Sequence, residues 1–172
     1  MTEQQPYDVV RSFDSFEVRR YPEHVLAEVV VTGPFEDAGN RAFRYLFNYI
    51  SGENVSRTKV AMTAPVVQQP GDATDAGHRV AFVLPAGLAE DTAPRPTNPQ
   101  VHLRTVPESL VAAIRYRGRW TEEGYRQHLE ELRAAVAAAG LAATGQPRFA
   151  RFDPPFKPAF LRRNEVLLDL EG

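Results

Sequence analysis

A chain of 172 residues, 43% hydrophobic and 24% charged, is long enough for one domain with a substantial core. Its 20 Lys+Arg against 22 Asp+Glu leave a formal charge of -2, which excludes a global field attractive to nucleic acid or to an anionic membrane. The absence of cysteine excludes a disulfide scaffold, a thiolate nucleophile and a thiolate zinc site. The opening MTEQQPYDVV has neither a basic start nor an apolar core, so no secretory leader is expected. The longest small-apolar run, Ala134 to Ala143, is too short to span a bilayer. These features predict a soluble, cytoplasmic, single-domain protein.

Tyr7 to Phe13 and Phe16 to Tyr21 alternate apolar and polar residues around the turn pair Asp14-Ser15, which predicts a hairpin. In its second strand Phe16 and Val18 share one face, with Glu17, Arg19 and Tyr21 on the other. The β-branched run Val25 to Val31 predicts a strand buried on one face and partly covered on the other, with Glu28 its only charge. A helix follows from about Glu36 to Ser51. Ala42, Phe43, Leu46, Phe47 and Ile50 form one helical stripe, and Glu36 and Asp37 occupy the first turn, where carboxylates suit the dipole. Gly52 supplies a stop. Two phenylalanines on the stripe and the flanking Tyr45 and Tyr49 are more aromatic surface than anchoring this helix requires.

Strands are predicted near Val66 to Gln69 and Arg79 to Leu84, joined by an exposed loop over Gln69–Gly77. Prolines at 85, 94, 96 and 99 make Pro85 to Pro99 an irregular surface crossover. Val101 to Val106 and Leu110 to Arg117 are strands around a Pro107-Glu108-Ser109 turn. Thr121 is a good N-cap for a helix reaching about Ala139, with Tyr125, Leu129, Leu132 and Val136 on its stripe and Gly140 closing it. Strands near Arg148 to Phe152 and Glu165 to Leu170 end the chain. The order strand–strand–helix–strand–strand thus appears twice, a repeat of pattern only, which predicts an α+β fold with a largely antiparallel sheet and two halves, about 7–85 and 100–172.

The chain lacks a Gly-rich phosphate loop, a nucleophile elbow and a His-Glu-x-x-His helix. His24, His78, His102 and His128 stand at no metal-binding spacing, and read as surface or edge residues. Glu122-Glu123 reads as a helix start and Glu130-Glu131 as a solvated face. Two segments differ. Lys59 to Val66 mixes small residues, a proline and the flexible thioether of Met62, which suits either a strand entry or close approach to a flat ligand. Phe152 to Val166 is a stiff, proline-rich loop with Phe156 and Phe160 at its tip and cations after them. It suits an amphipathic anion, or else Arg162 and Arg163 simply pair with Glu165 and Asp169.

Four runs together resemble the SOUL/heme-binding protein family: Phe16-Glu17-Val18-Arg19-Arg20-Tyr21, Met62-Thr63-Ala64-Pro65-Val66, Asp153-Pro154-Pro155-Phe156-Lys157-Pro158 and Arg162-Arg163-Asn164-Glu165-Val166. They occur in order over nearly the whole chain. The resemblance implies a single domain over residues 1–172, a distorted antiparallel β-barrel of two pseudo-symmetric halves flanked by two helices. It also implies binding of free heme or a related porphyrin in a cleft lined by the first helix, the Met62 segment and the late proline loop. Phe43, Phe47 and Met62 then supply an apolar wall, Lys157 and Arg163 meet the propionates, and Arg44 is a further candidate for that task. Where some family members carry a histidine proposed as axial iron ligand, this chain has Arg20. His24 lies four residues on, past Pro22. Porphyrin binding is therefore expected to be mainly hydrophobic, with no membrane or nucleic-acid partner. Two other functions stay open: a small-molecule effector-binding module of the gyrase-inhibitor-like type, and an enzyme acting on a tetrapyrrole or another hydrophobic ligand.

Overall fold

The computed structural model describes residues 2–71 and 77–172, so most of the loop predicted at Gln69–Gly77 lies outside the described residues. In chain order the elements are β1 (Glu3–Gln4), β2 (Asp8–Ser12), β3 (Glu17–Tyr21), β4 (His24–Val31), α1 (Phe35–Ile50), β5 (Thr63–Ala64), β6 (Val66–Pro70), β7 (His78–Val83), β8 (His102–Val106), β9 (Ser109–Arg117), α2 (Glu122–Ala138), β10 (Ala143–Arg151) and β11 (Arg163–Leu170). The class is mixed α+β, with antiparallel ladders and two helices. Among the described residues no helix is long and apolar enough to cross a membrane.

The chain divides into two compact units. The first joins the segment ending at Gln5 to Glu23–Pro107, and the second joins Pro6–Pro22 to Glu108–Gly172. This division departs from the chain-order halves because strands are exchanged. The predicted repeat is present as β3-β4-α1-β6-β7 and β8-β9-α2-β10-β11, with only the short β5 added. Its leading strands trade places: β3 pairs with β9, and β8 pairs with β4.

In the first unit the antiparallel order is β6-β7-β4-β8. Strand alternation sends Val25, Ala27 and Val29 of β4, with Val80 and Phe82 of β7, against Ala38, Ala42, Leu46, Tyr49 and Ile50 of α1. Leu26, Val67, Ala81 and Val83 form a second cluster on the opposite face. Both faces of β4 are covered, which is why its sequence is nearly continuously apolar. Small residues at Ala38, Gly39 and Ala42 let α1 approach the strands closely. The helix ends where Gly52 takes φ +120°, a conformation that a side chain would oppose.

In the second unit the antiparallel order is β2-β3-β9-β11-β10. Tyr21, Val111, Ala113, Ala150 and Leu167 make a buried cluster. Buried Tyr125, Leu132 and Val136 mark the packed face of α2, and the Tyr125 ring meets Phe149 edge-on at 5.5 Å. Thr121 caps α2 as expected, its hydroxyl accepting from the Gly124 N–H at 3.1 Å. β10 starts at Ala143 rather than near Arg148. Gly145 takes φ +70° in a register shift between Thr144 and Arg148, so pairing resumes upstream of the predicted start.

Candidate functional site

The helix α1 buries only part of its apolar stripe. Ala42, Leu46 and Ile50 face the core, whereas Phe43 and Phe47 remain 39% and 46% exposed. One turn apart, their rings stack with centroids 5.5 Å apart and planes 16° from parallel. Phe43 also rests on the buried Phe82 of β7, ring centroids 5.6 Å apart and nearly edge-on. The result is a flat aromatic surface propped from below by the core. Arg44, between them in sequence, is exposed, with its guanidinium 5.8 Å from the Tyr45 ring.

Met62 returns to the core cluster beneath α1 through a turn built on Asn54. The buried Asn54 amide donates to Tyr49 O at 3.0 Å and Thr58 O at 2.8 Å, and its Oδ1 accepts from the Thr58 N–H at 3.0 Å. The chain then returns beside the end of α1, where the Val60 N–H donates to Ile50 O at 2.7 Å. Half-buried Met62 packs on the core cluster that also carries Tyr45, Phe82 and Leu46. After it, the Thr63 hydroxyl donates to Val83 O and β5 pairs in parallel with β1. Of the residues singled out from sequence, Phe43, Arg44, Phe47 and Met62 thus belong to the first unit.

Lys157 and Arg163 belong to the second unit and are brought together by Asp153. Its Oδ1 pairs with Lys157 Nζ at 3.0 Å and its Oδ2 accepts the Arg163 backbone N–H. Burial would push the Asp153 carboxyl up, but the Arg163 N–H and the Lys157 charge outweigh it and hold it below the usual carboxylate value. Arg162 braces the same loop, donating from Nε to Lys157 O at 3.0 Å and from Nη2 to Pro155 O at 2.6 Å. Phe156 and Phe160 stand exposed on this loop, as expected. Arg163 pairs with Glu165 at 3.2 Å and lies over the Phe152 ring at 4.1 Å. Asp169 takes Arg148 as its partner, at 2.8 Å, rather than Arg162 or Arg163.

The largest polar feature of the second unit escapes a sequence reading. Arg19, expected on the less apolar face of β3, is 1% exposed, and Glu165 is 0% exposed. They meet in two parallel bonds of 2.7 and 2.8 Å. Arg19 also donates to Tyr21 Oη at 2.8 Å and Glu17 at 2.9 Å, and lies 4.1 Å from the Tyr7 ring centroid. Arg115 and Arg163 reach Glu165 at 3.3 and 3.2 Å. Burial alone would raise the Glu165 carboxyl, but the Arg19 hydrogen bond and charge, backed by Arg163, hold it below its ordinary 4.5. A depressed folded value makes the carboxylate stabilising above the unfolded value, and this contribution is lost as pH falls through the folded one. Urea unfolding is therefore expected to show stability declining below about pH 5, with a shallower acid slope in Glu165→Gln. Equal slopes in both proteins would show that Glu165 does not govern the acid limb.

His128 stacks on Tyr116 at 3.7 Å, the His78 ring contacts Gly33 O at 3.1 Å, His102 is exposed and His24 half-buried. Among the described residues no cluster of three or more His, Asp or Glu could hold a metal ion. Arg20 is exposed and faces Glu108 at 3.8 Å.

Comparison with known proteins adds to this geometry. A family model described as SOUL heme-binding protein matches residues 2–169. Heme-binding protein 1 of Xenopus tropicalis is 27% identical over 157 residues, covering 88% of this chain and 82% of that protein. Among solved structures, the EcmrR C-terminal domain superposes with a TM-score of 0.68 at 13% identity, covering 96% of this chain and 98% of that one. A structure described as a hydrolase from Listeria innocua gives 0.67 at 14% identity, covering 94% of both chains. At such identities these structures share the fold alone.

Proposed function

The chain belongs to the SOUL heme-binding protein family, and from that premise we propose that it binds free heme or a related tetrapyrrole on the exposed aromatic face of α1, as a carrier or buffer. The observation that carries this reading is the stacked Phe43–Phe47 pair, left in solvent although the core beneath it is closed. Exposed, pre-stacked rings fit the flat apolar face of a porphyrin, and burying them drives association. Met62 offers a polarisable thioether nearby, and Arg44 a cation able to reach a carboxylate at the rim. Arg20 cannot serve as the axial ligand, so the binding energy is assigned to apolar contact and extends to metal-free porphyrin. The closed, distorted barrel implied by the family resemblance is part of the proposal.

The test is a titration of the purified protein with hemin and with protoporphyrin lacking iron, followed by the Soret band. Saturable one-to-one binding of both supports the reading. Binding of hemin alone, with a ligand-field shift, would replace the apolar mode with an iron-ligated one, and saturation by neither would overturn it. An effector module for organic cations is less well supported. The buried acids Glu28 and Glu165 are already matched, by Arg104 at 3.0 Å and Arg19 at 2.7 Å, and offer no free counter-charge to such a ligand.

A further inference from the structure

We infer that the second unit carries a separate anion site, built on Arg151, Arg162 and Trp120, that takes the carboxylate or phosphate group of a small solute. Arg151 ends β10 opposite Asn164 of β11 and is 9% exposed. Its guanidinium lies 4.9 Å from the Trp120 ring centroid, and that of Arg162 lies 4.2 Å from the same centroid. Two cations therefore share one aromatic ring. The ring is held in place, since Trp120 Nε1 donates to Asn164 Oδ1 at 3.0 Å and Asn164 donates in turn to Gly118 O at 2.9 Å. Arg162 is fixed as well, through the carbonyls of Lys157 and Pro155, with Nη1 left over.

Among the described residues no carboxylate stands within ion-pairing distance of Arg151, in contrast to Arg19, Arg148 and Arg163 of the same unit. Burial pushes its guanidinium down to about 10, and the charge of Arg162 acts in the same direction. A cation–π contact recovers only part of what a guanidinium loses on leaving water, and two like charges over one ring oppose each other. A planar or tetrahedral oxyanion beside Trp120 would relieve both deficits, accepting from the Arg151 fork and offsetting the two positive charges. Access remains, because the fully shielded, unpartnered side-chain atoms among the described residues are Tyr116 Oη and Arg163 Nε, with none from Arg151.

Trp120 is the sole tryptophan of the chain, so its emission reports on this site directly. The intact protein is titrated with inorganic phosphate and with citrate, each against sodium chloride at matched ionic strength. A saturable change in emission with phosphate or citrate but not with chloride is expected, and the arm that saturates identifies the anion class. Arg151→Gln should weaken the midpoint roughly tenfold, with Arg151→Lys intermediate because it keeps the charge and loses the fork. Both variants should bind hemin as the parent does, which separates this site from the porphyrin reading. A response that follows ionic strength alone in the parent protein overturns the inference. So does an unchanged midpoint in an Arg151→Gln variant with a native circular dichroism spectrum.

Discussion

Glu165→Ala is expected to lower the unfolding free energy by about 3–5 kcal/mol. The reason is what the substitution leaves behind. Arg19 sits at 1% exposure in bidentate contact with Glu165, and after truncation it keeps only Glu17, the Tyr21 hydroxyl and the Tyr7 ring. A buried guanidinium stripped of its main counter-charge must either stay poorly solvated or pull water into the ladder between β3, β9 and β11. The first unit supplies an internal control. Glu28 and Arg104 also meet in two bonds, 3.0 and 3.2 Å, but Arg104 is 40% exposed. Glu28 is itself buried but keeps Arg79 at 3.9 Å as a second counter-charge, so Arg104→Ala should cost about 1 kcal/mol or less. The joint variant Arg19→Met, Glu165→Leu removes both buried charges and should lose less than Glu165→Ala, since only the more exposed Arg115 and Arg163 then lose a partner. Urea midpoints at constant m-value measure all three. A loss in Glu165→Ala no larger than that in Arg104→Ala would mean that the buried pair is already hydrated.

The same pair shows where sequence reading stops. Alternation around Phe16 to Tyr21 locates the strand, but a charge in an alternating strand reads as a solvent-facing residue. Nothing local signals that Arg19 will meet a carboxylate 146 positions away. The helices were legible because their caps and stripes are local: Thr121 before α2, Gly52 after α1. The repeat was legible for the same reason, yet the exchange of β3 and β8 was not, because hydropathy does not name a strand's partner. On α1 the sequence showed an excess of aromatic residues without showing which would stay outside. The arc of small residues Ala38, Gly39 and Ala42 decides this, drawing the strands to one side of the stripe and leaving Phe43 and Phe47 on its shoulder. Arg151 and Trp120 are 31 residues apart, and no spacing rule joins them; only the pairing of β10 with β11 and the Trp120–Asn164 hydrogen bond do.

Phe47→Ala should weaken hemin binding roughly 10- to 100-fold while changing stability by less than about 1 kcal/mol. The first figure follows from burying one aromatic side chain against a ligand, about 1.5–3 kcal/mol, at about 1.4 kcal/mol per tenfold. The second follows from its position, for Phe47 is 46% exposed and its ring contact is Phe43. Phe43 differs because it also rests on Phe82 within the core, so Phe43→Ala should lose both affinity and stability. The ratio of the two losses therefore separates a ligand platform from a core residue. Phe47→Leu sharpens the test: leucine retains most of the apolar area but offers no ring face. If area alone drives binding, Phe47→Leu should resemble the parent, and if ring stacking adds to it, the variant should lie between parent and Phe47→Ala. Full hemin affinity in Phe47→Ala would detach porphyrin binding from this helix, whatever the titration of the parent protein shows.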